Sequence, residues 1–339
     1  MPSAAPTQPP RGVPVWIGML VLYLVWGSTY LAISVAVETI PPFLMAAVRF
    51  TMAGLILLTW SVAREGRAFV PPTRREWRDS AIVGALLLGG GMGMVAFGEQ
   101  TIPSGIAALL IATMPVWVAI LGRIFLGERL PRVAIFGIVL GFAGVAILVG
   151  PSAFGGAGSL DPLGLAAVLI SPIAWSSGSL FASHRAVLPK RPLVATGVQM
   201  ILGGLVLAVM AAVTGEFADV DVGTISRDSV LALLYLLVMG SLVAFTVYGW
   251  LLRIAPLPLV ATYAYVNPVV AVILGAIILN ETIDLRTVIA GAVIVISVAV
   301  TVTARGRMPT PQNRVPAPAA PPEAEPLPAG PATTAASTR

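Results

Sequence analysis

A single arginine interrupts an apolar segment that is otherwise long enough to cross a lipid bilayer. Arg49 lies in PPFLMAAVRFTMAGLILLTW, residues 41 to 60. A charge at the centre of a membrane helix costs roughly 2.5 to 3.5 kcal/mol, so such a residue usually has a partner or a task. Three roles are open: an ion pair with an acid near the membrane boundary, a clamp for an anionic ligand, or extension to the membrane surface with no further role. Glu99 is the best ion-pair partner because it lies at the end of a second apolar segment.

Other polar and aromatic residues share faces of the predicted helices, since side chains three or four positions apart lie on one face. Trp26 lies in the middle of its apolar segment, too deep for the aromatic residues that mark membrane boundaries. We predict a binding cavity for a small-molecule substrate, with helix packing as the alternative role of the tryptophans. The candidate residues are Trp26, Thr29, Tyr30, Arg49, Glu99, Trp175, Ser179, Tyr263 and Asn267.

The composition places these residues in a membrane protein. Hydrophobic residues make up 57% of the 339 positions and charged residues only 10%. Such a chain cannot present the surface of a soluble globular protein. A membrane helix needs roughly 20 mainly apolar residues, and the apolar runs do not alternate as the strands of a membrane barrel do. We predict an all-α integral membrane protein with ten spans at about residues 14 to 35, 43 to 62, 79 to 98, 104 to 124, 132 to 150, 162 to 183, 193 to 214, 229 to 250, 258 to 279 and 286 to 304.

Several classes of site and activity lack support in the sequence. The chain has no cysteine and a single histidine, His184. Disulfides, thiolate metal sites and multi-histidine sites are therefore excluded. The phosphate-binding motif of ATP-driven pumps and the HExxH motif of metalloproteases are also missing. We expect no metal, no cofactor and no enzymatic activity.

The distribution of Lys and Arg predicts the orientation, because short cytoplasmic loops of membrane proteins are enriched in these residues. With the N-terminus inside, most of the 20 basic residues fall on the cytoplasmic side, including the run from Arg64 to Arg78. The outer loops hold Arg227 and Arg286 together with most of the acids. Both termini are therefore predicted to be cytoplasmic. The net charge of +5 reflects this topology, and no nucleic-acid partner is expected.

The two halves of the chain are similar to each other. IPSGIAALLIATMPVWVAILGRIFLGERL aligns with APLPLVATYAYVNPVVAVILGAIILNETI at one constant offset, which sets Pro115 against Pro268. Each half has five predicted spans, and an odd number forces the halves into opposite orientations. We predict two inverted five-helix repeats, residues 14–150 and 162–304, flanked by a short cytoplasmic tail, residues 1–13, and a disordered Pro- and Ala-rich cytoplasmic tail, residues 305–339.

The same segments resemble a known family. WGSTY in the first span, VRF in the second, GERL after the fourth and ATYAYVNPVVAVILGAIILNETI in the ninth are similar to the drug/metabolite transporter superfamily. Within it, the chain resembles the EamA-type ten-helix transporters and their YedA-like exporter branch, over roughly residues 14 to 304. The resemblance implies a location in the plasma membrane, which is the inner membrane of bacteria. It also implies a central cavity that opens in turn to either side of this membrane, and export or exchange of small metabolites. It implies no particular substrate.

Two prolines at equivalent positions of the repeats are candidate hinges. Proline lacks the N–H that closes a helical hydrogen bond, so it weakens the helix around it. Pro115 and Pro268 would free the carbonyl groups of Ile111 and Ala264. The fourth and ninth helices are therefore candidate gating elements. Proline also occurs in membrane helices merely to shape packing, and this alternative stays open.

Two classes of function remain. We expect a secondary active transporter, an exporter, of small metabolites, amino acids or drug-like compounds. The alternative is a non-transporting membrane protein that handles lipid or acts as an assembly factor. Protons are a candidate coupling ion. Glu99 is the candidate carboxylate that would bind them, because the core otherwise lacks titratable acids. In the alternative, Glu99 is an outer-loop acid without a coupling role. The other expected partners are the lipid bilayer and, as an open question, a second copy in a homodimer.

Overall fold

The computed structural model describes residues 13–128, 130–149, 160–255, 260 and 262–306. Throughout these residues the secondary structure is helical, and no strand is present. Within the described ranges, nine helices are long and apolar enough to cross a membrane, and a further apolar helix, Tyr263–Ile278, is shorter. The prediction of an all-α membrane protein is therefore confirmed.

Ten apolar helices follow one another along the described chain. They are α1 Val13–Ala36, α2 Pro42–Glu65, α3 Arg74–Gly98, α4 Ser104–Leu126, α5 Arg132–Val149, α6 Pro162–His184, α7 Pro192–Val213, α8 at residues 227 to 254, α9 Tyr263–Ile278 and α10 Leu285–Gly306. Helix α4 consists of two pieces, Ser104–Ile111 and Met114–Leu126. Single helical turns at Gly66–Ala68, Glu216–Asp219 and Val222–Thr224 lie in the connections.

The predicted spans agree with these helices to within a few residues. Helix α2, for example, begins at Pro42 because proline fits the first turn, where its missing N–H costs nothing. The predicted span at 258 to 279 is described from Tyr263, while residues 256–259 and 261 lie outside the described residues. The two predicted cytoplasmic tails also fall outside them, apart from residue 13 and residues 305 and 306.

Helices α3 and α8 each contain a wider, π-helical segment. These segments are Ala85–Gly93 in α3 and Leu236–Val243 in α8. A π-helical turn is rare and frequently lies at a functional site, because it re-aims the side chains that follow. Both helices hold the third place in their half of the chain, so the same distortion occurs twice.

The helices pack in pairs that repeat after five helices. Helix α1 contacts α8 and α9, and α6 contacts α3 and α4. Helix α2 packs along α7, and α5 packs along α10. The helix at one place in the first half corresponds to the helix five numbers later in the second half. With this correspondence, the pair α1 and α8 matches α6 and α3, the pair α1 and α9 matches α6 and α4, and the other two pairs match themselves. The packing therefore has the duplicated pattern that the sequence offset indicates.

Glycines let α2, α3 and α7 approach one another closely. A Cβ atom at Gly54 would lie 2.6 Å from the carbonyl oxygen of Gly197. A Cβ atom at Gly84 would lie 2.5 Å from the carbonyl oxygen of Gln199. Side chains do not fit at such distances, and small residues are the usual solution where membrane helices meet. These contacts fix α2, which carries Arg49, against the rest of the bundle.

Acidic residues of two loops hold the first turns of neighbouring helices. Glu216 accepts hydrogen bonds from the first N–H groups of α2, at 2.8 and 3.2 Å. Glu281 accepts hydrogen bonds from the first N–H groups of α4, at 2.7 and 3.1 Å, and from the hydroxyl of Ser104 at 2.7 Å. The unpaired N–H groups and the dipole of a helix favour a negative charge at its N-terminus. Both acids therefore tie a loop to the end of a membrane helix.

Candidate functional site

A central cavity lies between helices α1, α2, α3, α4, α6, α8 and α9. The volume of this cavity is about 90 Å³. Both halves of the chain contribute to its wall, and most of the wall is apolar or aromatic. This is the usual character of a binding site for a small organic molecule. The lining residues are Trp26, Thr29, Tyr30, Arg49, Phe50, Met92, Val95, Ile111, Met114, Ser171, Pro172, Trp175, Phe245, Tyr263 and Asn267.

Most of the site residues predicted from the sequence meet in this cavity. They are Trp26, Thr29, Tyr30, Arg49, Trp175, Tyr263 and Asn267. Glu99 and Ser179 are not among the residues that line it, and their role as substrate contacts stays a prediction. On α6 the cavity covers Ser171, Pro172 and Trp175, and Ser179 lies one turn beyond them. Glu99 lies one turn beyond the cavity on α3, where Val95 is the last lining residue.

Trp26 is held by aromatic neighbours on one side while it lines the cavity on the other. The centroid of its ring lies 4.9 Å from that of Tyr263, 5.2 Å from that of Tyr248 and 5.6 Å from that of Phe245. Such edge and tilted contacts stabilise an aromatic ring in one orientation. The sequence left helix packing and cavity lining open as alternative roles for the tryptophans. In the structure, Trp26 does both.

Arg49 does not form an ion pair with Glu99, which was one of the three roles left open by the sequence. Its side chain is buried, with 3% of its surface exposed, and its Nε donates a hydrogen bond to the hydroxyl of Ser241 at 3.0 Å. Its guanidinium lies 4.6 Å from the centroid of the Phe50 ring. Within the described residues, no carboxylate lies within 4 Å of it. The side chain of Arg49 extends toward Ser241 on α8, and neither carboxylate oxygen of Glu99 accepts a hydrogen bond from a described group.

The path of α8 makes room for this arginine. A Cβ atom at Gly240 would lie 3.0 Å from Nη2 of Arg49. Gly240 and Ser241 both belong to the π-helical segment of α8. The segment therefore supplies the space and the hydroxyl that position the guanidinium at the cavity wall.

The remaining polar groups at the wall differ in what they can still bind. The hydroxyl of Thr29 donates to the carbonyl of Trp26 at 2.6 Å, so its proton is already used. The side-chain oxygen of Asn267 is buried and accepts no hydrogen bond from any described group. The cavity thus offers a cation and an amide oxygen that a ligand could satisfy.

The two predicted hinge prolines have different surroundings. Helix α4 is interrupted at residues 112 and 113, and Pro115 lies in the first turn of its second piece. Pro268 lies inside the continuous helix α9. The hydroxyl of Ser176 on α6 donates to the carbonyl of Met114 at 3.1 Å, which ties the interruption to the neighbouring helix. A hinge role for either proline stays a prediction.

Some lining residues were not predicted from the sequence. Met92, Met114 and Phe245 are apolar residues in apolar helices, and nothing in their spacing sets them apart. Ser171 and Pro172 do carry a signal, because Pro172 is a further proline inside a membrane helix. The reasoning applied to Pro115 and Pro268 could have found this pair. Among the described residues, no three His, Asp or Glu side chains are placed to hold a metal ion.

Comparison with known proteins agrees with these features. A model of the EamA-like transporter family matches residues 14–150 and again residues 162–303. The inner membrane transporter YedA of Escherichia coli (strain K12) is 38% identical over 287 residues, which are 84% of this chain and 90% of YedA. The transporter YvbV of Bacillus subtilis (strain 168) is 24% identical over 277 residues, which are 81% of this chain and 87% of YvbV.

A solved crystal structure of a protein 23% identical in sequence superposes with a TM-score of 0.58, covering 86% of this chain and 97% of the other. At this identity the similarity concerns the fold alone. The apolar helices and the relatives together identify a multi-pass protein of the plasma membrane, the inner membrane of bacteria. Because the family model matches both halves and YedA is similar over most of its length, the chain belongs to the EamA-like transporter family.

Proposed function

We propose that this membrane transporter is a secondary active exporter that moves small amphipathic metabolites, amino acids or drug-like compounds outward through the central cavity by alternating access. One observation carries the proposal: a cavity with walls from both halves of the chain contains a buried cation without an acidic partner among the described residues. Secondary transporters place their substrate at the interface of two repeats, near the middle of the bilayer. The central cavity has this position within the bundle.

The proposed topology has ten membrane helices in two inverted repeats, with both termini in the cytoplasm. The repeated packing of the helices supports the duplication, and the odd number of helices per half supports the inversion. Arg64, Arg67, Arg74, Arg75 and Arg78 lie at the ends of α2 and α3 or in the connection between them, which supports a cytoplasmic location for that connection. The loop acids Glu216 and Glu281 then lie at the outer face.

The chemistry of the wall favours a substrate with an apolar or aromatic body and a carboxylate. Trp26, Tyr263 and Trp175 offer flat apolar surfaces to such a body. Arg49 presents a guanidinium whose hydrogen bond from Nε leaves other N–H groups for a carboxylate, which arginine binds well. The side-chain oxygen of Asn267 would accept a hydrogen bond from an amino group. An amino acid with an apolar side chain therefore fits the described wall.

Alternating access needs helices that can change shape at the cavity. The interruption of α4 lies between two lining residues, Ile111 and Met114, so a bend there would move the wall directly. Pro268 follows Asn267 on α9, the helix at the corresponding place in the second half. We assign both positions as hinges of the proposed motion.

Flux into proteoliposomes tests the proposal. The purified protein is reconstituted, and uptake of radiolabelled L-phenylalanine, L-leucine and benzoate is compared with that into empty liposomes. We expect uptake of at least one of these carboxylates. Replacing Arg49 by Gln should weaken the binding of the transported carboxylate about tenfold or more, because a lost hydrogen bond to a charged group costs about 1.5 to 3 kcal/mol. The exposed Arg64 on the same helix provides the control, and Arg64→Gln should leave uptake unchanged.

The lipid-handling alternative gives the opposite pattern. In that case a fluorescent phospholipid moves between the leaflets of the same liposomes, none of the carboxylates is taken up, and Arg49→Gln has no effect. That result would overturn the proposal of a metabolite exporter.

A further inference from the structure

Glu99 is a buried carboxyl group whose side chain has no hydrogen-bond partner in the described part of the chain. Only 4% of its surface is exposed, and neither carboxylate oxygen bonds to any described group. An ionised carboxylate is costly to bury unless it is paired and hydrogen-bonded. The central cavity does not include Glu99, so substrate contact in this conformation does not account for its position.

The groups around Glu99 do not stabilise a negative charge. The titratable groups that interact with it are Tyr30 on α1 and Glu281 in the loop after α9. Asp161, at the start of α6, accepts a hydrogen bond from Thr101, two residues beyond Glu99. No cation forms an ion pair with Glu99 among the residues that the structure describes. Burial and the neighbouring acid both favour the neutral carboxylic acid in this conformation.

Glu99 lies between the cavity and the end of the bundle. Val95 lines the cavity, and Glu99 follows it by four residues, which is about 6 Å further along the helix direction. Tyr30 lines the cavity and packs against the apolar cluster that contains Val95 and Ala96, in the turn before Glu99. On the other side, Glu281 is partly exposed and holds the first turn of α4. Glu99 thus lies one turn from the cavity, and the acid whose charge acts on it, Glu281, is partly exposed.

From this arrangement we propose that Glu99 is the proton-binding site that couples substrate export to proton entry. The inference rests on the proposed function of the cavity. Glu99 takes a proton from a hydronium ion on the side of Glu281: an O–H bond of the hydronium breaks, an O–H bond of the carboxyl group forms, and water is left. After the cavity opens to the cytoplasm, this O–H bond breaks and the proton passes to cavity water beside Tyr30. No electrons are transferred, and the group returns to the carboxylate.

An infrared measurement tests the proton site without any substrate. The C=O stretching band of a protonated carboxyl group is recorded at neutral pH for the wild-type protein and for Glu99→Gln in liposomes. We expect a band that Glu99→Gln lacks and that Glu99→Asp retains. The matched control is Glu38→Gln, at an exposed acid beyond α1, which should keep the band. Identical spectra for the wild type and Glu99→Gln would overturn the assignment.

A flux measurement tests the coupling. For exchange of one proton per substrate, a difference of one pH unit supports about a tenfold gradient of substrate at equilibrium. We expect the wild type to accumulate radiolabelled L-phenylalanine against such a gradient. Glu99→Gln should only equalise the concentrations, while it still exchanges internal for external phenylalanine, which shows that it is folded.

The outcomes separate this inference from the proposed function. A wild-type protein that exchanges phenylalanine but does not respond to the pH gradient contradicts proton coupling and leaves the exporter intact. Unchanged accumulation by Glu99→Gln contradicts the role of this residue alone. A protein that moves none of the tested carboxylates contradicts the proposed function, and the infrared band then decides whether Glu99 holds a proton.

Discussion

The Nε atom of Arg49 donates a hydrogen bond of 3.0 Å to the hydroxyl of Ser241, which joins the second helix of one half of the chain to the third helix of the other. Ser241 is fully buried, and Gly240 beside it leaves space for the guanidinium. The cation at the cavity wall is therefore positioned by a neutral hydroxyl. Its full charge remains available to a ligand.

Loss of this hydroxyl should weaken binding more than it weakens the fold. Ser241→Ala removes one hydrogen bond to a charged group, which we expect to lower the free energy of unfolding by about 1 kcal/mol, since hydrogen bonds between membrane helices are modest. A less constrained Arg49 should also bind L-phenylalanine more weakly, as measured by quenching of tryptophan fluorescence. Ser183→Ala, at an exposed serine of α6, is the control and should change neither quantity. Unaltered affinity in Ser241→Ala would contradict a positioning role.

Trp26 should contribute to stability as well as to the cavity. Trp26→Ala removes contacts with Phe245, Tyr248 and Tyr263, and large-to-small changes of packed aromatic residues cost about 3 kcal/mol or more. Thermal unfolding of the protein in detergent, followed by circular dichroism, should show a clear decrease in melting temperature. Trp16 lies on the same helix with 59% of its surface exposed, so Trp16→Ala should have a much smaller effect. Equal decreases for both variants would show that the aromatic contacts of Trp26 add nothing.

Hydropathy and spacing were sufficient to predict the helices and most of the cavity. The length of an apolar segment can be read from the sequence of that segment alone, so the membrane spans could be predicted without knowledge of the packing. The spacing of Trp26, Thr29 and Tyr30 likewise depends only on helix geometry. Trp175 could be added because it falls at the position in the second half that corresponds to Trp26 in the first.

The partners of the charged residues could not be predicted in the same way. Ser241 is one of many small polar residues in the apolar helices, and the π-helical segment of α8 alters the direction in which it points. An acid near a helix end is usually exposed, so the burial of Glu99 could be recognised only from the packed bundle. Electrostatic reasoning from sequence paired the two opposite charges, and the fold directs them to different helices.

The proposed orientation predicts where reporters will be active. Green fluorescent protein fused after Arg339 should fluoresce, because it folds in the cytoplasm, and alkaline phosphatase fused at the same place should be inactive. The reverse pattern should be seen for fusions in the loop that contains Glu216. The physical reason is the clustering of Arg64 to Arg78 on one side of the membrane. A dark fluorescent fusion with an active phosphatase would contradict a cytoplasmic C-terminus.

The most direct test of alternating access uses the absence of cysteine in the chain. Ser171 lines the central cavity, and Ser171→Cys places one thiol there with little change in volume. In inside-out and right-side-out vesicles, a membrane-impermeant thiol reagent should label this position from either side, and L-phenylalanine should slow the labelling. Leu205→Cys, on the exposed surface of α7, is the control and should not respond to the ligand. Labelling of Ser171→Cys from only one side, under every condition of ligand and pH, would contradict a cavity that opens in turn to both faces of the membrane.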